Sequence, residues 1–438
     1  MSKIKIPRYE GGAIGLPKNG RAITVSNTER RRLACSRSWW FSEVERLSTP
    51  TSGAMRRGTA WHDFLEDVHR FWMRYDRAFP EGGEGACVLC VEEPSLDCER
   101  CQGTGEGAIP RYRRSLAESE VDGLRTHTDE EVDAEVDTLS RMVEGWFEVY
   151  GREPSSIYRV VGVEVAIARP ILNPKTGKVY APEAYVVREV DGSERLAGTG
   201  EISGAVEIPE GATLRSSRLP WYQIGRLDCI LQHRRTGVLY VGEWKSSANP
   251  LGLVDGLALD PQTDGYCWLL EYAVEIGAIG KPGDEVVGYI FDVASTAKQY
   301  DPQPLKSGGF SKAKRTIPSW RWRRALAAEG LSASDYREQI DTARQRTDPK
   351  LYVREWGASV ADARARYGEE MYATARRISN LRREVGRVER YEDLNVAVPR
   401  TPICRMPGGF CPYRGPCLVD GEDARAAFEV APAISWNK

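Results

Sequence analysis

Gly225-Arg226-Leu227-Asp228-Cys229-Ile230-Leu231 and Val238-Leu239-Tyr240-Val241-Gly242-Glu243-Trp244-Lys245 decide how this chain is read. Both are short runs rich in strand-favouring residues, and Thr236-Gly237 supplies a turn between them, so two adjacent strands are expected. Side chains alternate along a strand, which puts Glu243 and Lys245 on one face and lets Asp228 approach them across the ladder. Two carboxylates beside an ammonium suit Mg²⁺ or Mn²⁺, which take oxygen ligands and keep several waters. Such an ion polarises a phosphoryl oxygen and activates water, while the ammonium stabilises the developing charge. A solvated strand face carrying an ion pair would use the same residues.

Outward from these strands the pattern changes several times. Ser26 and Glu29 stand at capping-box spacing and open an expected helix within 26–48. Trp61, Phe64, Leu65, Val68 and Trp72 recur at helical spacing and predict a helix over 54–77. A Gly-rich stretch, 82–107, interrupts it. Thr128 with Glu131 caps a further amphipathic helix through Val132, Val136, Leu139, Val143 and Phe147. Short β-type runs fill 157–245, and a helix follows with Asp260 as N-cap and Pro261 at its first position. Val286 to Val293 reads as a strand, and the remainder as Arg-rich helix up to a Pro/Gly-rich tail after 399. This order indicates an α/β or α+β domain with helical additions.

Gln262 and Tyr266 are four apart on the helix after the carboxylate strands, and Gly58-Thr59-Ala60-Trp61-His62 opens an apolar helix upstream. A Gly-x-x-x-His helix, a Gly-x-x-Asp strand, a Glu-x-Lys strand and a Gln-x-x-x-Tyr helix, in that order across 58–266, resemble the RecB-like branch of the PD-(D/E)XK nucleases, including CRISPR-associated RecB-like exonucleases. The resemblance implies a restriction-endonuclease-like mixed sheet flanked by helices. It implies metal-ligand roles for His62, Asp228 and Glu243, a catalytic Lys245, and a site lined by Gln262 and Tyr266. One more acidic residue is implied on a preceding strand, with Glu164 the candidate and Glu201 its rival. The implied activity is metal-dependent exonucleolytic hydrolysis of linear single-stranded DNA in recombination, repair or replication. A structure-specific endonuclease within a larger complex, or a non-catalytic DNA-binding scaffold, would use the same fold. The chain then divides into 1–81 (N-terminal helical part of the nuclease domain), 82–108 (cysteine-rich insertion), 109–300 (nuclease core), 301–400 (helical region) and 401–438 (cysteine-rich tail).

Ten cysteines in a chain with no export signal suggest metal binding rather than disulfides. Cys87, Cys90, Cys98 and Cys101 give C-x2-C-x7-C-x2-C, which suits tetrahedral zinc in a local knuckle. The Cys98-to-Gly105 stretch is similar to the repeat unit of J-domain chaperones, but only one such doublet occurs. Cys35, with Cys404, Cys411 and Cys417 in the tail, resembles the iron–sulfur nucleases of this branch, such as AddB-type proteins, and implies a 4Fe–4S cluster clasping the chain ends. The six-residue gap after Cys404 is wider than usual for them and leaves cysteine-bound zinc as the alternative. Cys229 and Cys267 read as small buried hydrophobes.

The 438 residues are 41% hydrophobic and 28% charged with a net charge of −2, a soluble profile with no global basic field. DNA contacts are therefore sought in local patches: Lys306, Lys312, Arg321, Arg323 and Arg324. A helix with a packed aromatic face and solvated arginines is the alternative for Trp320 to Arg324. No run approaches a membrane span, so an intracellular, cytoplasmic protein without a membrane partner is expected. No phosphate-binding Gly-x4-Gly-Lys-Ser/Thr loop and no His-Glu-x-x-His pair occur, which argues against an ATP motor or a zincin protease in this chain.

Overall fold

In the computed structural model six strands join one mixed sheet: β1 (Ile23–Ser26), β2 (Tyr158–Pro170), β3 (Trp221–His233), β4 (Leu239–Ser247), β5 (Val286–Ser295) and β6 (Tyr352–Ala358). The structure describes residues 13–17, 22–48, 52–81, 83, 85–87, 90, 98, 101, 104–121, 124–188, 190, 194–199, 210–257, 260–312, 317–385, 405–406, 409–411, 413, 417 and 428–430.

β3 is the spine. β2 runs antiparallel along one edge, while the other edge is shared by β4, paired antiparallel up to Gly242↔Cys229, and β1, paired parallel at Ile23↔Trp221. β4 continues parallel to β5, and β6 closes the edge antiparallel to β5. A parallel pair needs a crossover, and here it includes a helix running from Pro261 to Glu275. That helix starts as its sequence predicts, with Asp260 Oδ1 accepting the Gln262 N–H at 3.0 Å and Pro261 at the first helical position.

Five further helices matter for the site: α1 (Asn27–Arg32), α2 (Gly53–Tyr75), α3 (Ala108–Ala117), α4 (Asp129–Tyr150) and, after the crossover helix α5 (Pro261–Glu275), α6 (Ala361–Val385). Both arms of the Thr128–Glu131 capping box form on α4. The apolar stripe of α2, from Trp61 to Trp72, packs with Leu139, Trp146 and Phe147 of α4 against Cys229 and Trp244. Ile230 and Val241 belong instead to a second cluster with Leu269 and Leu270 of α5 and Met371, Ala375 and Ile378 of α6. Adjacent residues on one strand thus feed different cores, as a two-layered sheet requires. Trp61, Trp146 and Trp244 are fully buried. Burial of a large apolar side chain contributes about 1.5–3 kcal/mol.

Three segments depart from the sequence reading. The expected helix within 26–48 is broken: Ser26 caps α1 through the Glu29 N–H at 3.0 Å, but a separate turn, Ser36–Trp39, runs into a wide π-helical turn, Trp40–Val44. Packing decides this, since Trp39 and Phe41 are fully buried and Trp39 Nε1 donates to Glu29 at 3.1 Å. β1 was not foreseen, because four residues carry too little periodicity. β6 lies in a stretch expected to be helical. Its charged residues are tolerated because Arg354 pairs with Asp292 directly across the ladder.

Between β2 and β3 a three-stranded sheet forms from Glu183–Arg188, Glu194–Thr199 and Thr213–Arg218. The C-terminal stretch returns to the N-terminal region. Glu429 and Val430 pair with Ser48 and Leu47, and the Tyr413 hydroxyl donates to the Leu47 carbonyl at 3.0 Å. Among the described residues no helix is long and apolar enough to cross a membrane.

Candidate functional site

The site lies where β4 parts from β3. Their ladder ends at Gly242↔Cys229, so the Trp244 N–H is released from strand pairing and donates instead to Asp228 Oδ2 at 2.9 Å. Asp228 is thereby fixed in a notch between the strands. Gly225, three residues earlier on β3, lets α5 close over this notch: a Cβ there would lie 2.7 Å from Leu269 and 3.1 Å from Tyr266.

Glu164 enters from β2 by an unusual route. It falls between the pairs Val163↔Cys229 and Val165↔Leu227, opposite Asp228, with φ of 52°. A left-handed backbone at a non-glycine residue costs about 1–3 kcal/mol. What it achieves is visible: ligand atoms of His62, Glu164 and Asp228 all lie within 4.8 Å of one another. His62 Nδ1 is 3.6 Å from Asp228 Oδ2. Glu201, the rival acid, lies outside the described residues.

The second half of the site gathers on Glu243, which is buried. Its Oε1 accepts from Lys245 Nζ and from Gln262 Nε2 at 3.3 Å, and Gln262 Nε2 also donates to the Tyr266 hydroxyl at 2.7 Å. Glu243 Oε2 is buried with no hydrogen-bond partner among the described residues. A buried carboxylate oxygen without a partner is costly unless a cation meets it. That orphaned oxygen, with the imidazole and two carboxylates close by, fits a hard divalent cation.

Electrostatics agree. Burial, with Asp228 and Glu66 nearby, pushes Glu164 up to about 8. Burial raises Asp228 to about 6 against the opposing pull of Lys245 and the Trp244 N–H. Burial and Asp228 raise Glu243 to about 7 despite Lys245. Burial and then Lys245 depress His62, which favours the neutral imidazole a metal needs. On Lys245 burial opposes the charge, but Glu243 and Asp228 outweigh it and keep the ammonium protonated.

Glu66 was missed in the sequence. It sits one helical turn after His62 on α2, pairs with Arg70 at 2.7 Å, and adds negative charge near Glu164 and Asp228. Its i,i+4 spacing from His62 was the available signal.

The expected cationic patch is partly corrected. Trp320 and Trp322 are buried, and Arg321 is 7% exposed, with Glu144 at 2.7 Å and Asp301 at 2.6 Å. A buried guanidinium needs such partners, so Arg321 belongs to the fold rather than to a strand-gripping surface. Arg323 and Arg324 are exposed and reach Glu148 at 3.5 Å and Glu144 at 2.7 Å. Lys306 is exposed, and Lys312 donates to the Asp335 carbonyl at 3.1 Å.

The four cysteines of the insertion do converge. Cys87 and Cys98 sulfurs are 3.8 Å apart and those of Cys90 and Cys101 3.5 Å, close to the roughly 3.8 Å edge of a tetrahedral Cys₄ zinc site. Although burial opposes it, the Gly105 N–H and the neighbouring sulfurs lower Cys101 to about 7, towards the thiolate a metal requires. Of the other set, Cys411 and Cys417 join one cluster with Phe41 and Tyr413, and Cys35 stands at the N-cap position of the adjoining Ser36–Trp39 turn. Cys404 lies outside the described residues.

A mixed sheet flanked by helices, with its carboxylates and lysine at a strand-parting notch, defines a restriction-endonuclease-like protein. The family model described as the PD-(D/E)XK nuclease superfamily matches residues 24–417, and the chain belongs to that superfamily. Comparison with curated proteins finds no match. Members of this superfamily generally act on DNA with Mg²⁺ or Mn²⁺.

Proposed function

We propose that this protein is a metal-dependent deoxyribonuclease of the RecB-like branch that degrades linear single-stranded DNA from an end. The observation that carries the reading is Glu243. One oxygen is tied to Lys245 and Gln262, and the other is buried with no hydrogen-bond partner among the described residues, a need that a cation meets. His62, Glu164 and Asp228, whose ligand atoms lie together, would hold Mg²⁺ or Mn²⁺, with Glu243, near enough to feel Asp228 and His62, as the further ligand. When bound, the ion supplies Lewis acidity to the scissile phosphate and acidifies water.

The residues supply the rest. Lys245 stays protonated beside Glu243 and offers its ammonium to the charge that develops on the phosphate. The Trp244 N–H holds Asp228 in one rotamer. Gln262 fixes Glu243 from α5 and is itself held by the Tyr266 hydroxyl, and the two border the path of the strand.

The ordered set of four motifs supports the exonuclease reading over an endonuclease or a scaffold. An iron–sulfur cluster on Cys35, Cys404, Cys411 and Cys417 and a zinc on Cys87, Cys90, Cys98 and Cys101 complete the proposal. Recombination, repair or replication in the cytoplasm is its proposed setting. End-labelled linear single strands and covalently closed single-stranded circles, incubated with Mg²⁺ or Mn²⁺, test it. Loss of the linear strand alone is expected. Equal loss of circles makes the protein an endonuclease, and loss of neither makes it a scaffold.

A further inference from the structure

The outer face of α6 carries cations that the fold does not neutralise. Arg364 and Arg382 on that helix are paired, with Glu271 at 3.2 Å and Glu29 at 3.4 Å, and Arg30 of α1 reaches Glu370 at 3.3 Å. Arg376 and Arg377 are exposed and meet no carboxylate among the described residues. The Arg376 guanidinium lies 5.7 Å over the Tyr372 ring, and Arg377 Nη2 donates to Ser36 Oγ at 3.3 Å. Neither contact offsets a charge. The nearest acid along the helix, Glu370, stands six residues before Arg376 and is held by Arg30. With Ala373, Asn380 and Leu381, the two arginines line a groove of about 360 Å³. Two guanidiniums and a side-chain amide present N–H donors to whatever lies there, and anionic oxygens are their complement.

The contacts of α1 trace a way from the catalytic site to this groove. Arg31 holds Asp260 at the rim of the site, Arg30 holds Glu370, and Ser36, just past α1, meets Arg377. α6 is fixed against the same elements at Tyr367, whose hydroxyl donates to Asn27 Oδ1 of α1 at 2.5 Å and accepts from Gln223 Nε2 of β3 at 2.6 Å. Its ring lies 5.9 Å from that of Trp268 on α5. From Tyr367 to Arg377 the helix rises about 15 Å. A strand advancing roughly 3.4 Å per nucleotide covers that span with about four. A polyanion already engaged at the site is therefore the occupant that the charge and the spacing fit together.

We propose that this groove on α6 is a second DNA subsite, which grips the sugar–phosphate backbone of the single strand about four nucleotides from the catalytic site; it deepens the nuclease reading and rests on it. Fluorescence anisotropy on the full chain without divalent cation, over a ladder of single-strand lengths, reads binding apart from cleavage. Wild-type affinity should step up once a strand is long enough to reach from the site to the groove. Arg376→Ala with Arg377→Ala changes two exposed helix positions to the best helix former, so the fold is kept. This variant should lose that step, bind long strands at least fivefold more weakly, and lose about 1.4 from the salt slope, at 0.7 per phosphate contact on a single strand. Arg376→Lys with Arg377→Lys keeps both charges and should retain the slope, which separates a phosphate contact from a structural role. A wild-type slope in the alanine variant, the same loss at every strand length, or a wild-type protein that polyglutamate strips of DNA at equal charge concentration overturns the groove and leaves the nuclease reading standing. The expected step and slope in a protein that degrades no DNA uphold the groove and sink the nuclease reading alone.

Discussion

Arg31 on α1 forms an ion pair with Asp260, whose other oxygen caps α5 by accepting the Gln262 N–H at 3.0 Å. Asp260 therefore does two jobs at the rim of the site, and Arg31 is near enough to weigh against the charge on Lys245. Under the proposed function, this half-exposed guanidinium, held by a carboxylate, would meet a backbone phosphate once the pair opens.

Asparagine caps helices as well as aspartate does, so Asp260→Asn separates the two jobs. The cap stays and Arg31 is released. Exposed ion pairs are worth about 0–1 kcal/mol, so single-stranded DNA should bind roughly two- to fivefold tighter to this variant, measured by fluorescence anisotropy without divalent cation. Arg31→Ala should weaken binding and reduce the salt slope by about 0.7, the value for one phosphate contact on a single strand. Unchanged affinity in both variants would place the strand elsewhere.

Glu164 is held at φ of 52° in a strand. Glycine takes that conformation without strain, so Glu164→Gly should stabilise the fold by about 1 kcal/mol while abolishing cleavage. Asp228→Ala, Glu243→Ala and Lys245→Ala should each cost at least a hundredfold in rate, about 2.7 kcal/mol of barrier, with the fold intact. Urea denaturation paired with cleavage rates checks both halves. If Glu164→Gly is destabilised or remains active, the strain has another origin.

The half of the site on β3 and β4 was legible because period-2 alternation and a Thr-Gly turn identify adjacent strands, and a carboxylate-lysine pair on one face is then forced. Gln262 and Tyr266 shared a helix face by i,i+4 spacing, with Pro261 marking its start, whereas His62 entered only through the resemblance of its Gly-x-x-x-His helix to the RecB-like branch. What escaped was whatever depends on tertiary contact. Nothing in Val-Gly-Val-Glu-Val announces a positive φ, so Glu164 could not be separated from Glu201. Arg321 looked like an exposed cation because the carboxylates that meet it, Glu144 and Asp301, are distant in sequence. β6 was hidden for the same reason, since Arg354 suits a strand only once Asp292 faces it.

His69 is fully buried between α2 and the sheet, its Nδ1 2.7 Å from the Leu65 carbonyl and its ring against Trp72 and Trp244. Burial lowers it from 6.5 to about 4, with Asp292 opposing and Arg354 assisting. The unfolded chain therefore binds the proton more readily. Stability from this residue is present above pH 6.5 and is lost as pH falls towards 4, by about 3 kcal/mol in all. His69→Phe should remove this component, read as the difference between wild-type and variant unfolding free energies, since the raised Glu164, Asp228 and Glu243 carboxylates titrate in the same window with the opposite sign. A parallel pH dependence in the variant would assign the acid sensitivity to other groups.

The return of the tail to the N-terminal region rests on contacts of two kinds, which substitution can separate. Phe41 and Tyr413 rings lie 5.8 Å apart, and the Tyr413 hydroxyl bonds the Leu47 carbonyl. Tyr413→Phe deletes one buried hydrogen bond and should cost about 1 kcal/mol without altering any metal. Cys411→Ala and Cys35→Ala remove proposed cluster ligands, and should bleach the brown colour expected of anaerobically purified protein and lower its melting temperature much further. About four irons per chain are expected before substitution, from the four thiolates. Zinc on Cys87, Cys90, Cys98 and Cys101 should survive all three changes, because its four ligands are local in sequence and their sulfurs lie together. A colourless preparation with two zincs and no iron would replace the cluster by a second zinc site and leave the clasp standing.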